Sequence, residues 1–209
     1  MGKIKCIVFD LGGIVFEIDK NQAIRHFEEI GFAQAKDYLD AFTQIGIFGD
    51  LESGKITAEQ YRQELSVLIG HDVTLEQCRY AWTGYMKHLP LHNLDAIEDL
   101  RRRGYRVSLL SNTNPFMMSW ANSSDFSKYH LPVSHYFDAM YLSYECGVMK
   151  PDQRIFEMMI EGEGFDPSEM IFIDDSPHNA KAAATLGINT LQPGNGEDWR
   201  PMLEAALAK

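Results

Sequence analysis

Apolar residues along this chain follow two rhythms. Near the amino end and again from Asn93 onward, short aliphatic runs alternate with helically spaced segments, whereas from about Asn21 to Lys87 the spacing is helical with no convincing buried strand. The first run, Ile4 to Phe9, stops at Asp10, Gly12 and Gly13, the punctuation expected where a central strand meets a turn. Leu94, Ile97 and Leu100 give Leu94 to Arg103 a helical stripe, with Gly104 as its stop. Val107 to Leu110 reads as a strand, Ala139 to Leu142 as a weaker one, and Gln153 to Glu161 as a helix. Met170 to Ile173 is a strand running into Asp174 and Asp175, and an Ala-rich helix from Ala180 to Leu186 follows, closed by Gly187. Ile188 to Leu191 and Asp198 to Leu207 are the last strand and helix. Alternation of this kind predicts an α/β fold with a doubly wound parallel sheet.

The Asn21 to Lys87 stretch reads as a helical insertion. Thr57 with Gln60 and Thr74 with Gln77 form capping boxes, which predict helices Ala58 to Ile69 and Leu75 to Lys87 separated by Gly70 to Val73. Tyr61, Leu65 and Leu68 make one apolar stripe. Tyr80, Trp82 and Tyr85 are core or pocket lining, with core favoured for aromatics at helical spacing. The expected division is an α/β core from residues 1–16 and 93–209, with residues 17–92 inserted as an α-helical unit. The segment from Pro115 to His135 reads as a long, partly helical loop.

Composition narrows the function. A chain of 209 residues with 45% hydrophobic content buries a substantial core. Its formal net charge of -11 argues against a nucleic-acid footprint and against an anionic membrane surface. The three cysteines, Cys6, Cys78 and Cys146, are widely spaced without a CxxC pair, so neither a disulfide framework nor a zinc site is suggested. No apolar segment reaches membrane-spanning length and the amino end lacks an h-region, so a cytoplasmic monomer or small homo-oligomer is expected.

Candidate chemistry begins at Asp10, because ligands of open parallel sheets bind just outside the carboxyl ends of strands. Alone, it could equally be a turn aspartate. Three later segments supply what a reactive carboxylate needs. VSLLSNTN sets Ser111 and Asn112 after a strand, where a hydroxyl and backbone N–H groups can bind an anionic oxygen; GVMKP sets Lys150 in a loop before a helix, where an ammonium can neutralise an anion. MIFIDDSPHN ends a strand with Asp174 and Asp175, with Asn179 four positions beyond Asp175.

With FDLGGIV, LLSNTNP, GVMKPD and FIDDSPHN in this order, the whole chain resembles the haloacid dehalogenase superfamily, and its phrasing is closest to the branch containing phosphatases of the glucose-1-phosphate type. The resemblance implies a Rossmann-like core, a small α-helical cap over the cleft, a Mg²⁺ cofactor and a small phosphorylated metabolite as substrate. It implies that Asp10 is the nucleophile forming an aspartyl-phosphate and that Ser111, Asn112 and Gly13 bind phosphate. Lys150 is implied as the cation restraining both nucleophile and phosphate. Asp10, Asp175 and the Gly12 carbonyl are implied as metal ligands, with Asp174 a second or outer ligand and Asn179 in support. Gly12 departs from the family pattern, which usually has a second aspartate there to protonate the leaving oxygen and activate water. Glu17, Asp19 and His26 are candidate substitutes, and Phe16, Phe48, Tyr85 and Trp120 candidate pocket lining. Two other readings stay open: a metal-free 2-haloacid dehalogenase, and a catalytically impaired phosphometabolite-binding protein.

Overall fold

The structure, a computed structural model, describes residues 3–40 and 44–208. Its centre is the strand β1 (Cys6–Phe9), flanked in parallel by β4 (Arg106–Ser111) and β6 (Met170–Ile173). Outside these lie β5 (Ala139–Leu142) and β7 (Asn189–Leu191), giving a five-stranded parallel sheet in the order β5-β4-β1-β6-β7. All four residues of β1 are buried because both sheet faces are covered. Ile7 and Phe9 pack on the side holding Leu94, Ile97, Leu100 and Trp199, whereas Cys6 and Val8 pack on the side of Ile155, Phe156, Met159 and Ala183. These faces are built by the helices α6 (Leu91–Arg102), α9 (Gln153–Glu163), α10 (Pro177–Thr185) and α11 (Arg200–Leu207). That is the doubly wound arrangement the alternation predicts, and it brings the carboxyl ends of β1, β4 and β6 side by side.

Between β1 and α6 the chain forms β2 (Glu17–Ile18), α1 (Lys20–Glu29), α2 (Ala35–Tyr38), α3 (Ile47–Glu52), α4 (Ala58–Ile69), α5 (Leu75–Thr83) and β3 (Met86–His88). Both capping boxes form, each Thr hydroxyl accepting from the backbone of the Gln three residues on. An aromatic cluster is the core of this unit: Phe48 meets Phe27, Tyr61 and Trp82 with ring centroids at 5.2, 5.3 and 5.6 Å. Trp82 is buried in this cluster, as its spacing favours, and one side of it also borders the cavity described below, while Tyr80 is exposed.

Several boundaries differ from the sequence reading for identifiable reasons. The helix expected from Leu75 to Lys87 ends at Thr83, because the chain turns at Gly84 and Met86–His88 pairs antiparallel with Glu17–Ile18. The insertion thus contains a two-stranded ribbon that helical spacing conceals, and Lys87 is tied to Glu17 across it at 2.6 Å. Leu68 faces solvent; the buried positions of α4 are Tyr61, Leu65 and Ser66, whose hydroxyl receives the Val73 N–H. The helix read from Leu94 begins a turn earlier at Leu91, after Pro90. Pro177 starts α10 three residues ahead of Ala180, its fixed φ being suited to the first helical position. The last helix begins at Arg200 rather than Asp198. Within the segment read as a loop, α7 (Pro115–Ala121) is capped by Asn114 and a 3-10 turn spans Val133–His135. The three cysteines are free, and no helix among the described residues is long and apolar enough to cross a membrane.

Candidate active site

Asp10 leaves the sheet at the end of β1, where its N–H still donates to the Ile173 carbonyl at 2.9 Å. The glycine turn beyond is pinned from several directions. Gly13 N–H donates to the Phe16 carbonyl, and Asn93 Nδ2 donates to the carbonyls of Ile14 and Val15, both at 3.1 Å. Trp199 Nε1 donates to the Ile14 carbonyl at 3.1 Å. Buried Asn93 lies outside the four motifs, and its place inside an ordinary helical stripe gives no sign of this role.

Lys150 is the hub of the site. It is 3% exposed, and its ammonium reaches Asp10 Oδ1 at 2.8 Å, Asp174 Oδ2 at 2.7 Å and the Leu110 carbonyl at 2.9 Å. Burial opposes its charge, but the two carboxylates outweigh burial and hold its pKa above the ordinary lysine range. Its backbone is clamped by Asn112, whose Nδ2 donates to the Lys150 carbonyl at 2.9 Å and whose Oδ1 accepts from the Lys150 N–H at 2.8 Å. The Asn112 side chain is thus committed to positioning Lys150, while Ser111, buried beside it, turns its hydroxyl towards the Asn112 carbonyl at 3.3 Å.

Asp174 and Asp175 are adjacent but differ in kind. Asp174 is fully buried, and its oxygens accept from Lys150, from Ser176 N–H at 2.8 Å, and from Asn179 Nδ2 at 3.2 and 3.0 Å. Asn179 lies in the first turn of α10, because Pro177 begins the helix, and is aimed back at Asp174. Asp175 is half-buried and, unlike Asp174, makes no ion pair with Lys150 within 4.0 Å. One oxygen each of Asp10, Asp174 and Asp175 fall within 4.8 Å of one another.

This packing has an electrostatic cost. Three carboxylates face one ammonium, so full ionisation leaves two negative charges uncompensated. Burial first, and then Asp174 and Asp175, push the Asp10 carboxyl up to about 8 against the pull of Lys150. Burial and Asp174 push Asp175 up to about 6. A divalent cation is the group whose charge matches this deficit, and the all-oxygen donor set is the kind magnesium prefers. The Gly12 carbonyl, beside Asp10, accepts no hydrogen bond among the described residues and adds a neutral oxygen.

Gly13 is required for the same geometry. Its φ is +82°, and an ideal Cβ there would lie 2.4 Å from Asp175 Oδ2. Gly13→Ala is expected to destabilise the fold by about 1–2 kcal/mol through the left-handed backbone alone. The same variant should weaken metal affinity at least about tenfold by displacing Asp175, as disturbance of a ligand's support does. Urea unfolding and a titration of activity against Mg²⁺ measure the two effects.

The cavity above the cluster contains about 680 Å³ of empty space, part of it open to solvent. Asp10, Ser111, Lys150 and Asp175 line it from the core, and Glu52, Gln44, Trp82 and Tyr85 from the insertion. Phe16 also lines it, whereas Phe48 belongs to the aromatic cluster and Trp120 packs edge-on against Phe16 at 5.8 Å. The expected substitutes for an acid at Gly12 are engaged elsewhere. Glu17 pairs with Lys87, Asp19 caps α1 through Oδ1, and the His26 ring stacks on Tyr80 at 4.3 Å. Glu52 escaped the sequence reading although a signal was present: it falls four residues after Phe48, where the α3 stripe calls for an apolar side chain.

Comparison with known proteins agrees with this geometry. The family model for haloacid dehalogenase-like hydrolases matches residues 4–187. A D-ribitol-5-phosphate phosphatase of Bacteroides thetaiotaomicron is 45% identical over 204 residues, covering 98% of each chain. A HAD-like family hydrolase from Porphyromonas gingivalis superposes with a TM-score of 0.94 at 39% identity, covering 100% of both chains. A HAD family enzyme from Bacteroides thetaiotaomicron, solved with magnesium and inorganic phosphate, superposes with a TM-score of 0.85 at 38% identity, covering 95% of this chain and 98% of the other.

Proposed function

The chain belongs to the haloacid dehalogenase-like hydrolase family, and on that footing we propose that it is a magnesium-dependent phosphatase acting on a small phosphorylated polyol or sugar through an aspartyl-phosphate on Asp10. The observation that carries the reading is the convergence of Asp10, Asp174 and Asp175 around Lys150 at the base of one cavity, three carboxylates against one ammonium, which when fully ionised leaves two negative charges in excess of the local cation. The substrate class is supported by the relative named for ribitol 5-phosphate.

Asp10, Asp175 and the Gly12 carbonyl would hold the Mg²⁺, with Asp174 in an outer position because its oxygens are already engaged by Lys150, Ser176 and Asn179. Bound magnesium supplies charge neutralisation between an anionic nucleophile and an anionic phosphoryl group. The rest falls to the chain's own residues. Lys150 fixes Asp10 through Oδ1 and keeps positive charge where the phosphoryl oxygens arrive. Ser111 offers its hydroxyl to one of those oxygens. Asp10 attacks phosphorus in line with the departing oxygen; water then cleaves the acyl phosphate and frees the carboxylate. Residues 17–92 act as a cap, presenting Glu52, Trp82 and Tyr85 to the substrate's remainder and limiting access of water.

A metal-free dehalogenase is less well supported, since attack on an anionic haloacid gains nothing from Asp174 and Asp175 beside the nucleophile. The test is phosphate release from ribitol 5-phosphate, other pentitol and pentose phosphates and glucose 1-phosphate, with and without Mg²⁺. Chelation should lower turnover at least about 10²-fold, the equivalent of the several kcal/mol a Lewis-acid cation contributes, and added Mg²⁺ should restore it. No release from any of these substrates with Mg²⁺ present would defeat the reading.

A further inference from the structure

A leaving alkoxide needs a proton, and Gly12 has no side chain to give one. We propose that Glu52, held over the cavity at the end of α3, is the acid and base of this reaction: it protonates the leaving oxygen and then deprotonates the attacking water. This role rests on the phosphatase reading above. The need is greatest for a terminal polyol phosphate, whose alcohol is a poor leaving group.

Glu52 is 6% exposed, yet it lines the same cavity as Asp10, Lys150 and Asp175. Two contacts fix it there. Its helix is anchored by Phe48 and Leu51, both fully buried, and the following loop sits tightly on α8 (Ser143–Cys146). Gly54, at φ +70°, approaches the Tyr144 carbonyl so closely that an ideal Cβ would lie 2.2 Å from the oxygen. The insertion is therefore seated on the core immediately beside Glu52.

The surroundings suit a group that alternates between acid and carboxylate. Burial pushes the Glu52 carboxyl up to about 8, with the Asn114 amide nearby pulling the other way, so the proton is retained near neutrality. The titratable groups that register its charge are the phenols of Tyr61 and Tyr85, both driven up chiefly by burial. Asn114 is fully buried, and its Oδ1 accepts from the N–H groups of Phe116 and Met117 at 3.1 Å. Its Nδ2 has no aligned hydrogen-bond partner. A buried donor left unpaired is costly. Beside Glu52, that donor is available to the carboxylate formed once the proton has left.

The steps balance. As Asp10 Oδ bonds to phosphorus, the bond to the leaving oxygen breaks, its electron pair stays on that oxygen, and the Glu52 proton neutralises it as an alcohol. Water then attacks phosphorus; one of its protons returns to Glu52, its hydroxyl stays on phosphate, and the pair of the breaking acyl–phosphate bond returns to Asp10. Asp10 and Asp175, the other acids lining the cavity among the described residues, are occupied as nucleophile and metal ligand.

Glu52→Gln preserves size and removes the transferable proton. With ribitol 5-phosphate, kcat should fall by about 10²–10⁴, the usual worth of general acid–base catalysis, while KM stays within a few-fold. With p-nitrophenyl phosphate, whose phenolate leaves without a proton, one equivalent of nitrophenolate should appear in a burst before slow turnover, because water has lost its base. As a second variant, Glu52→Ala should regain turnover on addition of formate. A rise in KM with kcat preserved would overturn the proposal in favour of substrate hydroxyl binding. Equal loss on both substrates, without burst or formate rescue, would overturn it in favour of a structural role. If the unmodified protein releases no phosphate, the phosphatase reading fails and takes this role with it; release by the unmodified protein without these Glu52 signatures overturns this role alone.

Discussion

Asp10→Asn is expected to lower phosphate release from any substrate by on the order of 10⁵-fold or more, the scale seen when a covalent nucleophile is removed. The amide is nearly isosteric, so the loss would be chemical. In the proposed mechanism Asn could not supply the anionic oxygen that bonds to phosphorus, yet its side-chain oxygen can still accept from Lys150, which approaches Asp10 Oδ1 at 2.8 Å. Stability should change less than activity, and in a predictable direction. Burial together with Asp174 and Asp175 already pushes the Asp10 carboxyl up to about 8, so the metal-free fold carries an electrostatic strain that a neutral amide relieves. In linkage terms, a carboxyl raised in the folded state destabilises folding once pH exceeds the unfolded value near 4. That cost should grow through the interval up to about 8 and be smaller in Asp10→Asn. Steady-state phosphate release and urea unfolding at pH 5 and pH 8, both without metal, measure the two sides.

Lys150→Met carries the second large effect. The side chain keeps its approximate length and loses the ammonium that satisfies Asp10, Asp174 and the Leu110 carbonyl. Removing one member of a buried ionic network leaves the partners unpaired and typically costs about 3–5 kcal/mol. For a chain of this size that corresponds to a fall in Tm of about 10 °C. Turnover should fall with it, because phosphoryl oxygens and nucleophile lose the same cation. Since Asn112 clamps the Lys150 backbone, the loop should stay in place and the damage remain centred on the ammonium. Thermal unfolding and kinetics on the soluble fraction test this; unchanged Tm and activity would mean that Lys150 is peripheral.

Much of the core was legible because its signals are local. β1, β4 and β6 are buried on both faces and so appear as largely apolar runs, and their carboxyl ends carry Asp10, Ser111, Asp174 and Asp175, Ser111 as the last residue of β4 and the others just beyond their strands. The capping boxes of α4 and α5 were readable for the same reason, since cap and partner lie three residues apart. What was hidden depends on distant pairing. The ribbon between Glu17–Ile18 and Met86–His88 is short and joins segments some seventy residues apart, so no window of sequence contains both edges. Asn112 reads as a phosphate ligand by position, but its side chain is occupied by the Lys150 peptide, a contact spanning 38 residues. Asn93 stands inside a helix whose spacing accounts for it as an ordinary position, and Glu52 breaks the α3 stripe without showing what it faces; only the folded chain carries one to the glycine turn and the other to the cavity.

Covalent chemistry at Asp10 is tested most directly by acid-quenching the enzyme during turnover of ribitol 5-phosphate with Mg²⁺ and weighing its peptides. One phosphoryl group on the peptide containing Asp10, appearing within a single turnover and absent from Asp10→Asn, is the expected result. Rapid phosphate release with that peptide unmodified, undiminished in Asp10→Asn, would contradict it.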